Sequence, residues 1–372
     1  MRGIVEIFRG IPDPRTGNAT RHKLEEVLTI AILAILSECA QFTEMELFGL
    51  EKADWLQTIL ELPHGIPSHD TFGDIFAMLE PKAVQRSFME WVETIREKIS
   101  GEIVAIDGKT ICGSKDVAKN KRAIHVVSAW ASQNGLVLGE LAISEKSNEI
   151  TAIPELLRLL RLKGCIVTID AMGTQKEIAK TIIERDADYV LAVKENQPTL
   201  YHDIADYFAS EMEAIKKCGD YAITSEKSHG RFEQRECYVT TDISWLIGRE
   251  EWENLAGIGM ILSERQKIGS DTVEKAACYV IYSKASMTAM DISLAKRQHW
   301  GIENNLHWTL DVIFNEDDSR MRLGNSAENM SVFHHLAINL INSEKTSKGS
   351  LNLKRKRCML SQDYLLKVVG CS

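Results

Sequence analysis

Two aspartates stand directly behind short runs of apolar residues. Asp107 follows Ile103-Val104-Ala105-Ile106 and precedes Gly108-Lys109, while Asp170 follows Ile166-Val167-Thr168-Ile169 and precedes Ala171-Met172-Gly173. Runs of this kind predict strands buried on both faces. Each carboxylate is then placed where the chain leaves a sheet, and open sheets gather ligands at the carboxyl ends of their strands. Two carboxylates there could share a divalent cation, since Mg²⁺ takes oxygen ligands and keeps several waters. Aspartate also follows strands simply to begin a turn. Only as a pair do the two suggest more.

A third acid, Glu303, lies within Arg297-Gln298-His299-Trp300-Gly301-Ile302-Glu303-Asn304-Asn305-Leu306-His307-Trp308. On a regular helix His299, Glu303 and His307 stand at i, i+4 and i+8 and share one face. Ile302, Leu306, Leu310 and Ile313 form the apolar stripe beside them. A surface helix with His–Glu hydrogen bonds is the plain alternative. Zinc is a further one, but the HExxH spacing is missing.

The elements that must position these acids follow from periodicity. Residues 1–98 read as helical. Pro12-Asp13-Pro14-Arg15 forms a turn, the strongly apolar Lys23–Glu38 stretch is a core helix, and Asp70-Thr71 caps another helix before Pro81. The pattern changes at Glu102. Ile103–Asp107, Ala123–Trp130 and Leu136–Ile143 read as strands, the last two joined at Asn134-Gly135, a hairpin signal. A helix from Ile150 to Leu162 follows, then strand Ile166–Ile169. Next come a helix from Thr174 to Arg185, with Thr174 and Glu177 as a capping box, and strand Tyr189–Val193. This order predicts a mixed sheet with helices on its faces. Pro198–Lys217 reads as a helix, residues 221–283 as β-rich, and Asp291–Phe314 and Ser326–Ile341 as helices. From Ser343 a polar tail is expected, carrying Lys354-Arg355-Lys356-Arg357.

Composition bounds the rest. The 372 residues suffice for two or three domains, and 44% apolar residues can build a core. The net charge of −9 excludes a polybasic coat protein. Eight scattered cysteines without a CxxC pair point to reduced thiols. No GxGxxG, GxxxxGK[ST] or GxSxG occurs, so dinucleotide, P-loop and serine-hydrolase fingerprints are missing. Met1–Arg9 does not read as a signal peptide, and Val27–Leu36 is too short to span a bilayer. A cytoplasmic protein with no membrane partner is expected.

Four blocks in order carry a family resemblance: Ala105–Lys109, Thr168–Met172, Tyr189–Gln197 and His299–His307. Together with Pro12–Arg15 and Glu316–Arg322 they resemble the DDE transposases of bacterial insertion sequences, in the subgroup that includes H-repeat-associated proteins. The resemblance implies an α/β fold: a ribonuclease-H-like mixed-sheet catalytic core interrupted by a β-rich insertion, with an all-α N-terminal domain. The boundaries follow as a helical domain at 1–98 suited to DNA-end recognition, core at 102–215, insertion at 216–285, a helical completion at 286–342 and a tail at 343–372. It implies that Asp107, Asp170 and Glu303 are catalytic and hold Mg²⁺, with Mn²⁺ able to substitute. The implied reaction is metal-dependent cleavage at element ends and strand transfer by in-line displacement at phosphorus. A transposition-defective DNA-binding relative and a Mg²⁺-dependent nuclease without joining stay open as alternatives. Some related families carry Tyr-x₂-Arg-x₃-Glu-x₆-Lys around the glutamate. Those slots fall here on Lys296, His299 and Leu310, and none matches.

DNA, as terminal repeats and as target, is the expected partner, with a homodimer expected in the DNA complex. Its phosphates need cations. The segment 109–122 carries +4, from Lys109, Lys115, Lys119, Lys121 and Arg122 against Asp116. It is read as a loop leaving the sheet beside Asp107. Lys194, Asn196 and Gln197 follow another strand and could reach the backbone. His299, Trp300 and His307 flank Glu303, and Trp300 and Trp308 could stack on an unpaired base.

Overall fold

The structure is a computed structural model that describes residues 2–116, 122–143, 148–228, 230–269 and 272–370. Its first strand begins only at Ile103, and the described residues before it form helices: α1 (Arg2–Arg9), α2 (Leu24–Leu36), α3 (Phe42–Glu51), α4 (Ala53–Leu56), α5 (His69–Met78) and α6 (Pro81–Ile95). A helix that is apolar on every side must be buried all round, and every residue of α2 from Val27 to Leu36 is. The cap of α5 is Ser68, whose hydroxyl accepts the Thr71 amide, rather than Asp70-Thr71. Arg15 turns inward, donating to Asp13 and to the His22 carbonyl, so the Pro-Asp-Pro-Arg turn is held from within.

The sheet follows: β1 (Ile103–Ile111), β2 (Ile124–Ala131), β3 (Leu136–Ile143), α7 (Glu149–Leu159), β4 (Ile166–Ile169), α8 (Lys176–Glu184), β5 (Asp188–Val193), α9 (Pro198–Cys218), then β6 (Asp220–Ser228), β7 (Arg231–Thr240), β8 (Gly257–Lys267) and β9 (Val273–Tyr282). Their order is β3-β2-β1-β4-β5-β9-β8-β7-β6. β1, β2 and β3 are antiparallel neighbours, whereas β4 is parallel to β1 and β5 to β4. Asn134-Gly135 does turn the β2–β3 hairpin, with Gly135 at φ +69°.

Three local expectations change. β1 runs four residues past Asp107, because Gly108–Ile111 pair with Ile124–Val127. The cap of α8 is not a capping box. Thr174 is buried and gives its hydroxyl to the Ala192 and Asp170 carbonyls, so the helix starts two residues later. The β-rich reading of 221–283 resolves into four strands, of which β6 carries apolar residues only at Tyr221, Ala222 and Ile223 and is polar or charged from Thr224 to Ser228. These late strands also continue the main sheet, since β9 pairs with β5.

The chain closes with α10 (Ala289–Gly301), a π-helical turn (Ile302–His307), α11 (Trp308–Val312), α12 (Ser326–Ser343), α13 (Leu351–Leu360) and α14 (Gln362–Val368). The expected polar tail is therefore a helical pair. Lys354 and Arg355 are buried. Lys354 donates to the Ile341 and Glu344 carbonyls at the end of α12. Arg355 donates to the Ile35 carbonyl at the end of α2 and to that of Ile313, and its guanidinium lies 4.3 Å from the Phe314 ring centroid. Cations are favourable at helix C-termini, where carbonyls lack intrahelical partners. Among the described residues no helix is long and apolar enough to cross a membrane.

Candidate active site

Asp107 and Asp170 are brought side by side by strand register. The parallel ladder of β1 and β4 ends on the pair Ile106 and Ile169, and each aspartate is the next residue. Side chains alternate faces along a strand, so two in-register neighbours project to the same side. Beyond this point β2 is the one strand paired with β1 among the described residues, which leaves Asp107 at the opening where β4 stops. Asp170 also does what aspartates after strands commonly do: its Oδ1 accepts the Met172 and Gly173 amides, at 3.1 and 3.3 Å. The turn and the projected carboxylate are one arrangement.

The glutamate comes from a helix laid across this face. α10 packs on β1 and β4. His299 Nδ1 lies 3.1 Å from Thr168 Oγ1, and Thr168 shares its strand face with Asp170. The π-helical turn then carries Glu303. Such turns are rare and insert one residue into the helical register. The shared face expected for His299, Glu303 and His307 is accordingly broken. His299 is buried under the sheet, Glu303 is exposed, and His307 Nδ1 sits 3.7 Å from Asp107 Oδ2.

Electrostatics link the acids. Burial, opposed by the Gly108 amide and reinforced by the charges of Glu303, Asp170 and Glu149, pushes Asp107 up to about 7. Glu149 was not singled out by its sequence position. It opens α7, and its Oε1 lies 2.6 Å from His125 Nε2. Only Gly108 permits this approach, since a Cβ there would stand 2.4 Å from both atoms. Burial also pushes His299 down to about 3 and His307 down to about 4, so both are neutral at pH 7.

The expected DNA-contacting residues divide. Lys115, Arg122 and Lys194 are exposed, and so is Trp300, at 49%. Lys119 and Lys121 lie outside the described residues. Lys109 does not fit the expectation: it sits on β1, and its ammonium turns inward to Asp311, Glu316 and Asp317, at 2.7, 3.2 and 3.3 Å. His299 is likewise committed to Thr168. Asn196 uses its amide on the Ala171 carbonyl, and Gln197 on that of Thr174. Both thereby brace the loop behind Asp170.

The acids fit a hard divalent cation by their chemistry. Asp107, Asp170 and Glu303 offer oxygen donors only, and the neighbouring charges that add to the effect of burial on Asp107 are what such a cation would offset. Among the described residues no group of three or more His, Cys, Asp or Glu side chains is gathered closely enough to hold a metal ion by itself. Mg²⁺ is commonly held by one or two carboxylates together with waters and substrate phosphates, and an open set of acids suits that mode.

The chain matches the family model described as the transposase DDE domain over residues 99–340, and the model of its associated region over residues 5–92. It is 41% identical over 374 residues to a protein of Escherichia coli O157:H7 provisionally named transposase YncI, covering 100% of this chain and 96% of that one. It is 37% identical over 374 residues to the H repeat-associated protein YhhI of Escherichia coli strain K12, covering 100% and 99%. A piggyBac transposase in a synaptic complex with hairpin DNA gives a TM-score of 0.40 at 14% identity, over 98% of this chain and 75% of that one, a likeness too weak to decide the fold. Matched in both of its parts and along its full length, the chain belongs to the DDE transposase family.

Proposed function

We propose that this transposase cuts DNA at the ends of an insertion element and joins the freed ends to target DNA, using Asp107, Asp170 and Glu303 around Mg²⁺. The observation that carries this is the register of β1 and β4, which sets two aspartates side by side beneath the helix bearing Glu303. The sheet order β3-β2-β1-β4-β5 supports a ribonuclease-H-like core, with β6–β9 as the insertion that adds to its edge. The helices before residue 98 are suited to recognising element ends.

A phosphodiester resists attack because its oxygens are anionic. When bound, the metal would supply the positive charge that activates the attacking oxygen and stabilises the leaving one. The protein holds the acids in place. Asp170 is oriented by the Met172 and Gly173 amides, and Asp107 by that of Gly108. Neutral His307 beside Asp107 adds no competing positive charge. Lys115, Arg122, Lys194 and Trp300 are the exposed groups placed to meet phosphates and bases, on a protein that works on DNA in the cytoplasm as a homodimer.

The test uses purified full-length protein, labelled element ends, plasmid target, and Mg²⁺ or Mn²⁺. Cleavage followed by 3′-end joining is expected, and Asp107→Asn is expected to abolish both while DNA binding persists. Cleavage without joining would make the protein a nuclease. No cleavage with either metal, or normal cleavage by Asp107→Asn, would overturn the assignment.

A further inference from the structure

Glu303 reaches Asp107 from the far end of the sequence, so something must hold its helix at the right height over the sheet. Four residues before Glu303, in the last turn of α10, the Thr168–His299 contact does this. Beyond Glu303 a second tie exists, centred on Lys109. Asp107 and Lys109 are two residues apart on β1 and project to the same face. Lys109 is only 10% exposed, and its ammonium meets Asp311 of α11 and both Glu316 and Asp317 of the turn that follows.

The same turn and the residues after it are fastened to the segment that follows β1 by side-chain to backbone hydrogen bonds. Asp317 Oδ1 accepts the Cys112 amide at 3.0 Å, and Arg322 Nε donates to the Gly113 carbonyl at 3.0 Å. A Cβ at Gly113 would stand 2.1 Å from the Ser319 carbonyl oxygen, so the two segments touch backbone to backbone. The second Glu316 oxygen lies 3.2 Å from His334 Nδ1, which carries the tie into α12. One cation thus sits among three carboxylates contributed by the segment that follows Glu303.

We propose that Lys109 is a positioning residue for the three-acid site: clamped by Asp311, Glu316 and Asp317, it fixes the end of the Glu303 helix against the strand of Asp107. Without the ammonium, three carboxylates would face one another with no cation between them. Their repulsion would lift the turn and α11 from β1, and Glu303 with them. Groups that orient metal ligands from behind commonly change metal affinity or activity by about 10- to 100-fold when removed.

Because this role rests on the three-acid site proposed above, the experiment separates the two. Full-length protein without DNA is titrated with Mn²⁺ alone, and free Mn²⁺ is followed by electron paramagnetic resonance. Lys109→Met is expected to weaken Mn²⁺ binding about tenfold or more. Lys354→Ala, which removes a buried lysine of α13 whose ammonium caps the end of α12, is expected to lose stability yet bind Mn²⁺ as the parent does. Parent-like binding by Lys109→Met, or equal weakening in Lys354→Ala, overturns the proposal. Parent-like binding by Asp107→Asn instead overturns the three-acid site. Should Lys109→Met not fold, Asp317→Asn keeps the acceptor for the Cys112 amide, removes one charge and is expected to weaken binding in the same direction. Parent-like binding by that variant overturns the proposal equally.

Discussion

His299 Nδ1 meets Thr168 Oγ1 at 3.1 Å inside the protein, tying the helix that carries Glu303 to the strand that presents Asp170. His299 is 8% exposed and Thr168 2%. Replacing His299 with alanine leaves a cavity and an unpaired hydroxyl. His299→Ala is expected to lower stability by roughly 2–4 kcal/mol, measured by urea unfolding at pH 7.

The same histidine predicts a pH dependence. Burial holds its folded-state value down at about 3, against 6.5 when exposed. The unfolded chain therefore takes up the proton first as pH falls. The stability that neutral His299 contributes is complete above about 6.5 and is lost progressively toward about 3. Unfolding free energies of the parent and of His299→Leu, measured from pH 7 to pH 4.5, are expected to converge by up to about 1.4 kcal/mol per pH unit. A constant gap would show that His299 is not held neutral.

Asp107 gives the opposite sign. Its folded-state value is raised to about 7 from 3.8, so the folded chain holds the proton more tightly. The resulting penalty is absent below about 3.8 and complete above about 7. In chelator, at pH 8, Asp107→Asn is expected to be more stable than the parent, on the order of 2–4 kcal/mol. Calorimetric melting checks this, and added Mg²⁺ is expected to stabilise the parent alone.

Arg355 belongs to the folded core rather than to a polar tail. Arg355→Ala removes the donors to the Ile35 and Ile313 carbonyls and the contact with Phe314. A loss of about 3 kcal/mol or more is expected, seen as a lower urea midpoint. The salt dependence of DNA binding by the folded fraction is expected to stay unchanged.

Much of the candidate site is legible in the amino-acid sequence. Apolar runs with an acid at the end marked β1 and β4, because a strand buried on both faces has to be almost wholly apolar and a carboxylate can follow only where it emerges. The block around Glu303 was legible as well, through residue types and their order. The π-helical turn was not. A helix and a helix with one inserted residue share the same composition, and packing against the sheet decides between them. Glu149 was hidden for a similar reason: a glutamate at a helix start looks like a capping charge until the sheet brings Asp107 beside it.

Charge was the least legible property. Lys109 and Lys115 lie in one basic segment, and so do Arg355 and Lys356. A lysine in water and a lysine among three carboxylates have the same neighbours in sequence. The amino-acid sequence by itself determined most of the strands and helices and marked three acids as candidates, since those depend on local periodicity and residue type. Tertiary structure alone decided which cations face outward and which turn inward to carboxylates or carbonyls. The partners of Lys109 lie some two hundred residues away, and only the fold brings them within 3.3 Å.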